Sequence, residues 1–95
     1  MNPLADTKRE RSFREMREYV KCLGEMIADY RTMQDLSIAE LALKMDVAEE
    51  ELLMLETGDG YGCFLTTIYN AIKFIVPDLK PFDLEALKAR APKLK

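Results

Sequence analysis

Chemistry has few places to start in this chain. It has no histidine among its 95 residues and only two cysteines, Cys22 and Cys63, placed 41 positions apart. Imidazole general bases, His-containing triads and His-ligated metals are therefore excluded, since each needs a ring that titrates or ligates near neutral pH. Two isolated cysteines lack the clustered spacing of a zinc site, and they do not build a disulfide framework. They read as small buried hydrophobes in a reducing, cytoplasmic setting. Asp29 with Asp35, or Glu49 with Glu50, could pair as acid and base only across a cleft, and without one they are solvated faces. The run Gly58-Asp59-Gly60-Tyr61-Gly62 has the composition of a phosphate cradle. No strand precedes it and no lysine follows in P-loop register, so it reads as a helix cap and loop. No catalytic residue, cofactor or metal is expected, and the chain is not expected to be an enzyme.

What remains is binding, and charge is the first guide to it. The net charge is −3 with a pI near 5.0, but the total hides a strong segregation. Residues 1–21 hold six basic and four acidic side chains, residues 22–60 two and ten, and residues 61–95 six and three. The balances are +2, −8 and +3, an acidic middle between weakly basic ends. No apolar run is long enough to cross a membrane, and the charged start does not resemble a secretory signal.

The elements that would carry a binding face follow from apolar periodicity. Residues 1–11 are polar and without period, and are expected to be a disordered lead-in. Phe13, Met16, Val20, Leu23, Ile27 and Tyr30 recur at spacings of three and four, one stripe on a helix. Gly24 interrupts the stripe, marking either a break between two helices or a weak point in one. Ser37 and Glu40 form a capping box that opens a short helix over 37–44, with Leu41 and Ala42 inward. Asp46-Val47 turns the chain into a helix over 49–56, with Leu52 and Leu55 inward and Gly58 at its left-handed end. A further helix over 65–76 is apolar at Leu65, Ile68, Ala71, Ile72 and Ile75 and ends at Pro77. Pro81 is expected to open a last short helix through Leu87, followed by a basic tail over 91–95. The expected class is all-α, a single domain over 12–90 with four or five helices. Leu41, Val47, Leu52, Leu55, Ile68 and Ile72 should share its core.

Two short helices around a tight turn are a helix-turn-helix. From Ser37 to Gly58 the chain reads SIAELALKMDVAEEELLMLETG, with Ser37, Leu41, Ala42, Val47, Leu52, Leu55, Glu56 and Gly58 in register. This resembles the Cro/CI-type, lambda-repressor-like helix-turn-helix family. Upstream, Leu23-Gly24, Ile27 and Arg31 resemble that family's first helix; downstream, Leu65, Ile68, Ala71 and Ile75 resemble its fourth. The resemblance spans residues 23–76. It implies a DNA-binding transcriptional regulator whose helix from Glu49 enters the major groove, with dimers on paired half-sites. The face that would meet double-stranded DNA, or another protein, comprises Ser37, Ile38, Ala48, Glu49, Glu50, Leu53, Met54 and Thr57.

That face departs from the family's pattern. Ile38 stands where a Gln is common, Ala48-Glu49-Glu50-Glu51 opens the recognition helix, and Leu53 and Met54 replace polar or basic readers. Acids in a first turn suit the helix dipole but repel phosphate. An alternative function therefore follows: the fold reused as a protein-interaction module, antitoxin-, antirepressor- or inhibitor-like, with Leu53 and Met54 as its contact. The upstream stripe of Phe13, Met16 and Val20 also needs cover. Leu79, Phe82, Leu84 and Leu87 are the expected cover, and a homodimer seam is the other arrangement.

Overall fold

The structure, a computed structural model, describes residues 3–91, with side chains from residue 8 onward. Five α-helices follow in order: α1 (Pro3–Met33), α2 (Ile38–Met45), α3 (Glu49–Glu56), α4 (Leu65–Ile75) and α5 (Leu84–Arg90), with a 3₁₀ turn at Gly60–Gly62. Among the described residues there is no strand. No helix among the described residues is long and apolar enough to cross a membrane.

α1 is one unbroken helix of 31 residues, and it starts inside the segment expected to be disordered. Pro3 suits a first helical position, where its missing N–H is no loss. Lys, Arg and Glu then dominate residues 8–18, and Glu10–Arg14, Arg11–Glu15 and Arg14–Glu18 stand four apart. Such pairs extend a helix in the absence of any apolar period. Gly24 breaks nothing: a Cβ there would overlap the Leu55 carbonyl oxygen, so the glycine lets the end of α3 cross α1 at close range.

The next three connections are short because each helix is stopped by its own backbone. Asp35 (φ 56°) and Asp46 (φ 61°) adopt the left-handed conformation just past α1 and α2, and Gly58 (φ 97°) does so past α3. Beyond them, Leu36 N–H donates to the Arg31 carbonyl, Val47 N–H to Ala42 and Asp59 N–H to Met54. These are the reaching bonds of Schellman ends. The Ser37–Glu40 capping box is formed in both directions, at 3.0 and 2.8 Å. α4 gives way at Val76 before Pro77. Pro81 does not open the last helix. Phe82 takes a left-handed φ of 65°, and Asp83 caps α5 by accepting from Ala86 N–H at 3.1 Å.

The core gathers one face of each helix. Leu23, Ile27, Leu41, Leu52, Leu55, Ile68, Ile72 and Leu87 are buried together, and Val47 packs half-buried against them. Leu65, expected inward, lies outside this core and is 70% exposed. Its α4 register places Thr67, Ile68, Ala71 and Ile72 inward instead. A partly buried ion pair clamps the ends of α1 and α3. Arg31 donates to both Glu56 carboxylate oxygens at 2.8 and 3.0 Å and to the Leu36 carbonyl at 2.9 Å.

α5 covers α1 only in part. Tyr19 and Val20 are buried, and the Tyr19 ring lies 5.4 Å from that of Phe82. One turn further toward the N-terminus the cover ends, leaving Met16 at 37% and Phe13 at 55% exposure. The expected intramolecular cover is therefore incomplete: Phe13 lies outside it, and Met16 stands at its edge, lining a hollow with Phe82 and Leu84. The segment before α5 and its first turn meet this stretch of α1 only across an open hollow, lined by Ser12, Glu15 and Met16 on one side and Phe82, Leu84 and Glu85 on the other. The full length of α1, 31 residues at about 1.5 Å each, matches the molecule's long dimension in its 49 × 26 × 24 Å extents.

Candidate functional site

α3 is positioned by Leu52 and Leu55, which are buried and anchor it to the core. Its opposite side is consequently turned outward. Glu50, Leu53 and Thr57 follow at steps of three and four, with Glu49 beside them, and all four are exposed. Leu53 is 52% exposed, a large share for a leucine in the middle of a short helix. Met54 lies at the edge of this side, half-buried, over the Gly62 backbone. Ala48 begins the helix exposed and supplies no side-chain cap.

Other residues expected on the face are occupied elsewhere. The Ser37 hydroxyl accepts from Glu40 N–H and so is used in holding α2. Ile38 is half-buried and packs on the core rather than standing clear of it. The Thr57 hydroxyl donates back to the Leu53 carbonyl at 2.9 Å, closing the end of α3. The outward surface thus reduces to Ala48, Glu49, Glu50, Leu53, Thr57 and the rim of Met54.

The three glutamates of α3 do not act alike. Glu51 turns toward α4, where its Oε1 accepts from Phe64 N–H at 2.9 Å and from the Thr67 hydroxyl at 2.7 Å. It thereby ties α3 to the first turn of α4, holding the backbone N–H of Phe64, which makes no side-chain cap of its own. Its backbone carbonyl accepts from the Cys63 thiol at 3.4 Å. Burial, with Glu51 close by, pushes that thiol up to about 11. Burial likewise raises Cys22, so neither sulfur is a ready nucleophile.

The chain around α3 is rich in acids, and the cation that borders its surface, Arg17, comes from α1 and lines a hollow with Met54 and Asp59. Asp35, Glu40, Asp46, Glu49, Glu50 and Asp59 are exposed, and between residues 35 and 60 Lys44 is the one basic side chain. Arg31, the nearest cation before that stretch, is bound to Glu56. Among the described residues no three of His, Cys, Asp and Glu converge to hold a metal ion.

Sequence reasoning missed several exposed apolar side chains. Leu43 on α2 is 84% exposed, and Phe64 and Leu65 at the start of α4 are 71% and 70% exposed. Tyr61, in the 3₁₀ turn, sits under the Arg17 guanidinium, 5.3 Å from ring centre to Cζ. Periodicity had assigned Leu65 to the core, and it carried no signal for Phe64 and Tyr61, which belong to a turn. No family model, curated protein or solved structure matches the chain.

Proposed function

We propose that this chain is a helix-turn-helix domain of the Cro/CI type that acts by protein contact through α3 and not by reading duplex DNA. One observation carries the reading: Leu53 is exposed in mid-helix between Glu49, Glu50 and Thr57, with no cation beside them on α3. Duplex DNA presents one negative charge per roughly 1.7 Å of axis, and Lys and Arg supply the attraction to it. A groove-reading helix with two outward carboxylates works against that field, although a glutamate can accept from a cytosine amino group. An exposed leucine ringed by acids suits a protein partner with an apolar anchor and a basic rim.

A second reading, the DNA-binding regulator, draws support from α1. Lys8, Arg9, Arg11, Arg14, Arg17 and Lys21 are all exposed there and could supply phosphate contacts that α3 lacks. Repeated selection of bound duplexes from a random pool at low salt separates the two. Protein contact predicts no enriched sequence and no gain on selection. A reproducibly enriched operator, whose binding falls steeply with salt and is lost on Glu50→Ala, would overturn it in favour of the regulator.

A further inference from the structure

Two surfaces of this molecule lack cover, and they are continuous. Tyr61 joins them. On one side it lines a shallow hollow of about 260 Å³ with Arg9, Ser12, Phe13 and Met16. On the other it lines a second hollow with Arg17, Met54 and Asp59. Glu50 stands on α3 three and four residues from Leu53 and Met54, so all three share one side of that helix. The surface therefore runs from Glu50 through Leu53, Met54 and Tyr61 to Met16, Phe13 and Arg9. It is acidic at its α3 end and basic at its α1 end, and its middle is apolar apart from Arg17, which lies over Tyr61, and Asp59.

A surface with opposite charges at its two ends is complementary to itself when turned through a half circle. A two-fold dimer requires this of its interface, because the same patch serves both subunits. We propose that the occupant of this surface is a second copy of the chain, related by a two-fold axis near Tyr61. The overhanging α1 of each copy lies along the α3 of the other. Phe13 and Met16 then meet the partner copy's Leu53 and Met54, and Arg9 faces the partner copy's Glu50. The charge balances of +2 over residues 1–21 and −8 over 22–60 favour this crossed pairing. Pairing α1 with α1 would instead bring two positively charged segments together. The proposal rests on the reading of the α3 side as protein-binding, and it names the protein. It also gives the long helical overhang a place to dock.

Sedimentation equilibrium on the full chain tests it. A dimer is expected that weakens as salt rises, since exposed charge pairs are screened within a few ångströms at about 1 M. Met16→Lys on α1 and Leu53→Asp on α3 should each raise the dissociation constant by at least about tenfold, a modest loss by the tenfold-per-1.4 kcal/mol relation. Both side chains are partly exposed, and circular dichroism verifies that the variants keep their helices. Arg9→Glu and Glu50→Arg should each weaken the dimer, and the double variant should restore it. A monomer at all concentrations overturns the proposal, as does a dimer broken by Met16→Lys but indifferent to Leu53→Asp, which would be an α1–α1 seam. Neither result bears on duplex selection, which alone decides whether α3 reads DNA.

Discussion

At the residue scale, the backbone crossings explain side chains that composition leaves ambiguous. Gly24 is in the interior of a 31-residue helix, where alanine would ordinarily add about 1 kcal/mol. The Leu55 carbonyl occupies the space its Cβ would need, and overpacking of this kind costs roughly 1–3 kcal/mol. Gly24→Ala should therefore lower the thermal midpoint, against the propensity scale. Asp46 is the converse case, a left-handed residue with a Cβ, at φ 61°. Asp46→Gly relieves that conformation and should stabilise by up to about 1 kcal/mol, read by urea unfolding. Cys63 gives a pH signature. Its folded value, raised from 9.0 to about 11, means that the folded state holds its proton more tightly than the unfolded chain. The stabilisation is complete below about pH 9 and is lost as the pH rises towards 11. Cys63→Ala should flatten that part of the stability profile, and the native thiol should alkylate slowly at pH 8.

At the element scale, α2 and α3 are held by contacts at their ends as much as by their buried faces, since each has only eight residues. The Arg31–Glu56 pair joins the last turns of α1 and α3, with the Glu56 side chain only 7% exposed. Glu56→Ala strands a partly buried guanidinium and should cost about 2–3 kcal/mol in chemical denaturation. Glu51→Ala leaves the Phe64 N–H and the Thr67 hydroxyl without their acceptor and should cost about 1 kcal/mol, whereas Glu51→Gln keeps an acceptor and should cost less. Glu49→Gln and Glu50→Gln touch neither contact and should leave stability nearly unchanged. That contrast divides the acidic first turn of α3 into one structural and two outward carboxylates.

At the scale of the whole molecule, a small core supports a long lever. Leu52 is fully buried on the inward side of α3, and Leu52→Ala should cost roughly 2–5 kcal/mol. Against a typical stability of about 5–15 kcal/mol, that approaches unfolding of the domain, visible as loss of the cooperative melt. Among the described residues, Phe13 on the overhanging part of α1 has no such support and is 55% exposed. Phe13→Ala should leave the melt of the isolated chain almost unaltered.

The residues themselves determined the all-α class, the extents of α2 and α3 and the identity of most core positions. Those signals are local: apolar residues three and four apart, Ser37 with Glu40, and Gly58 past Glu56 are each written within one or two turns of chain. The helical reach of α1 back to Pro3 was legible only as pairs of opposite charge, a weaker cue than an apolar period. Three matters were decided by tertiary structure alone. Gly24 is a crossing point and not a break, because the obstructing carbonyl comes from Leu55, 31 residues away. Glu51 ties α3 to the start of α4 and does not face outward, because α4 packs where that carboxylate can reach Phe64 and Thr67. Phe13 and Met16 stay exposed while Val20, on the same stripe, is covered, because cover depends on what packs against each turn of α1 in space, and Val20 lies against the Gly60 turn.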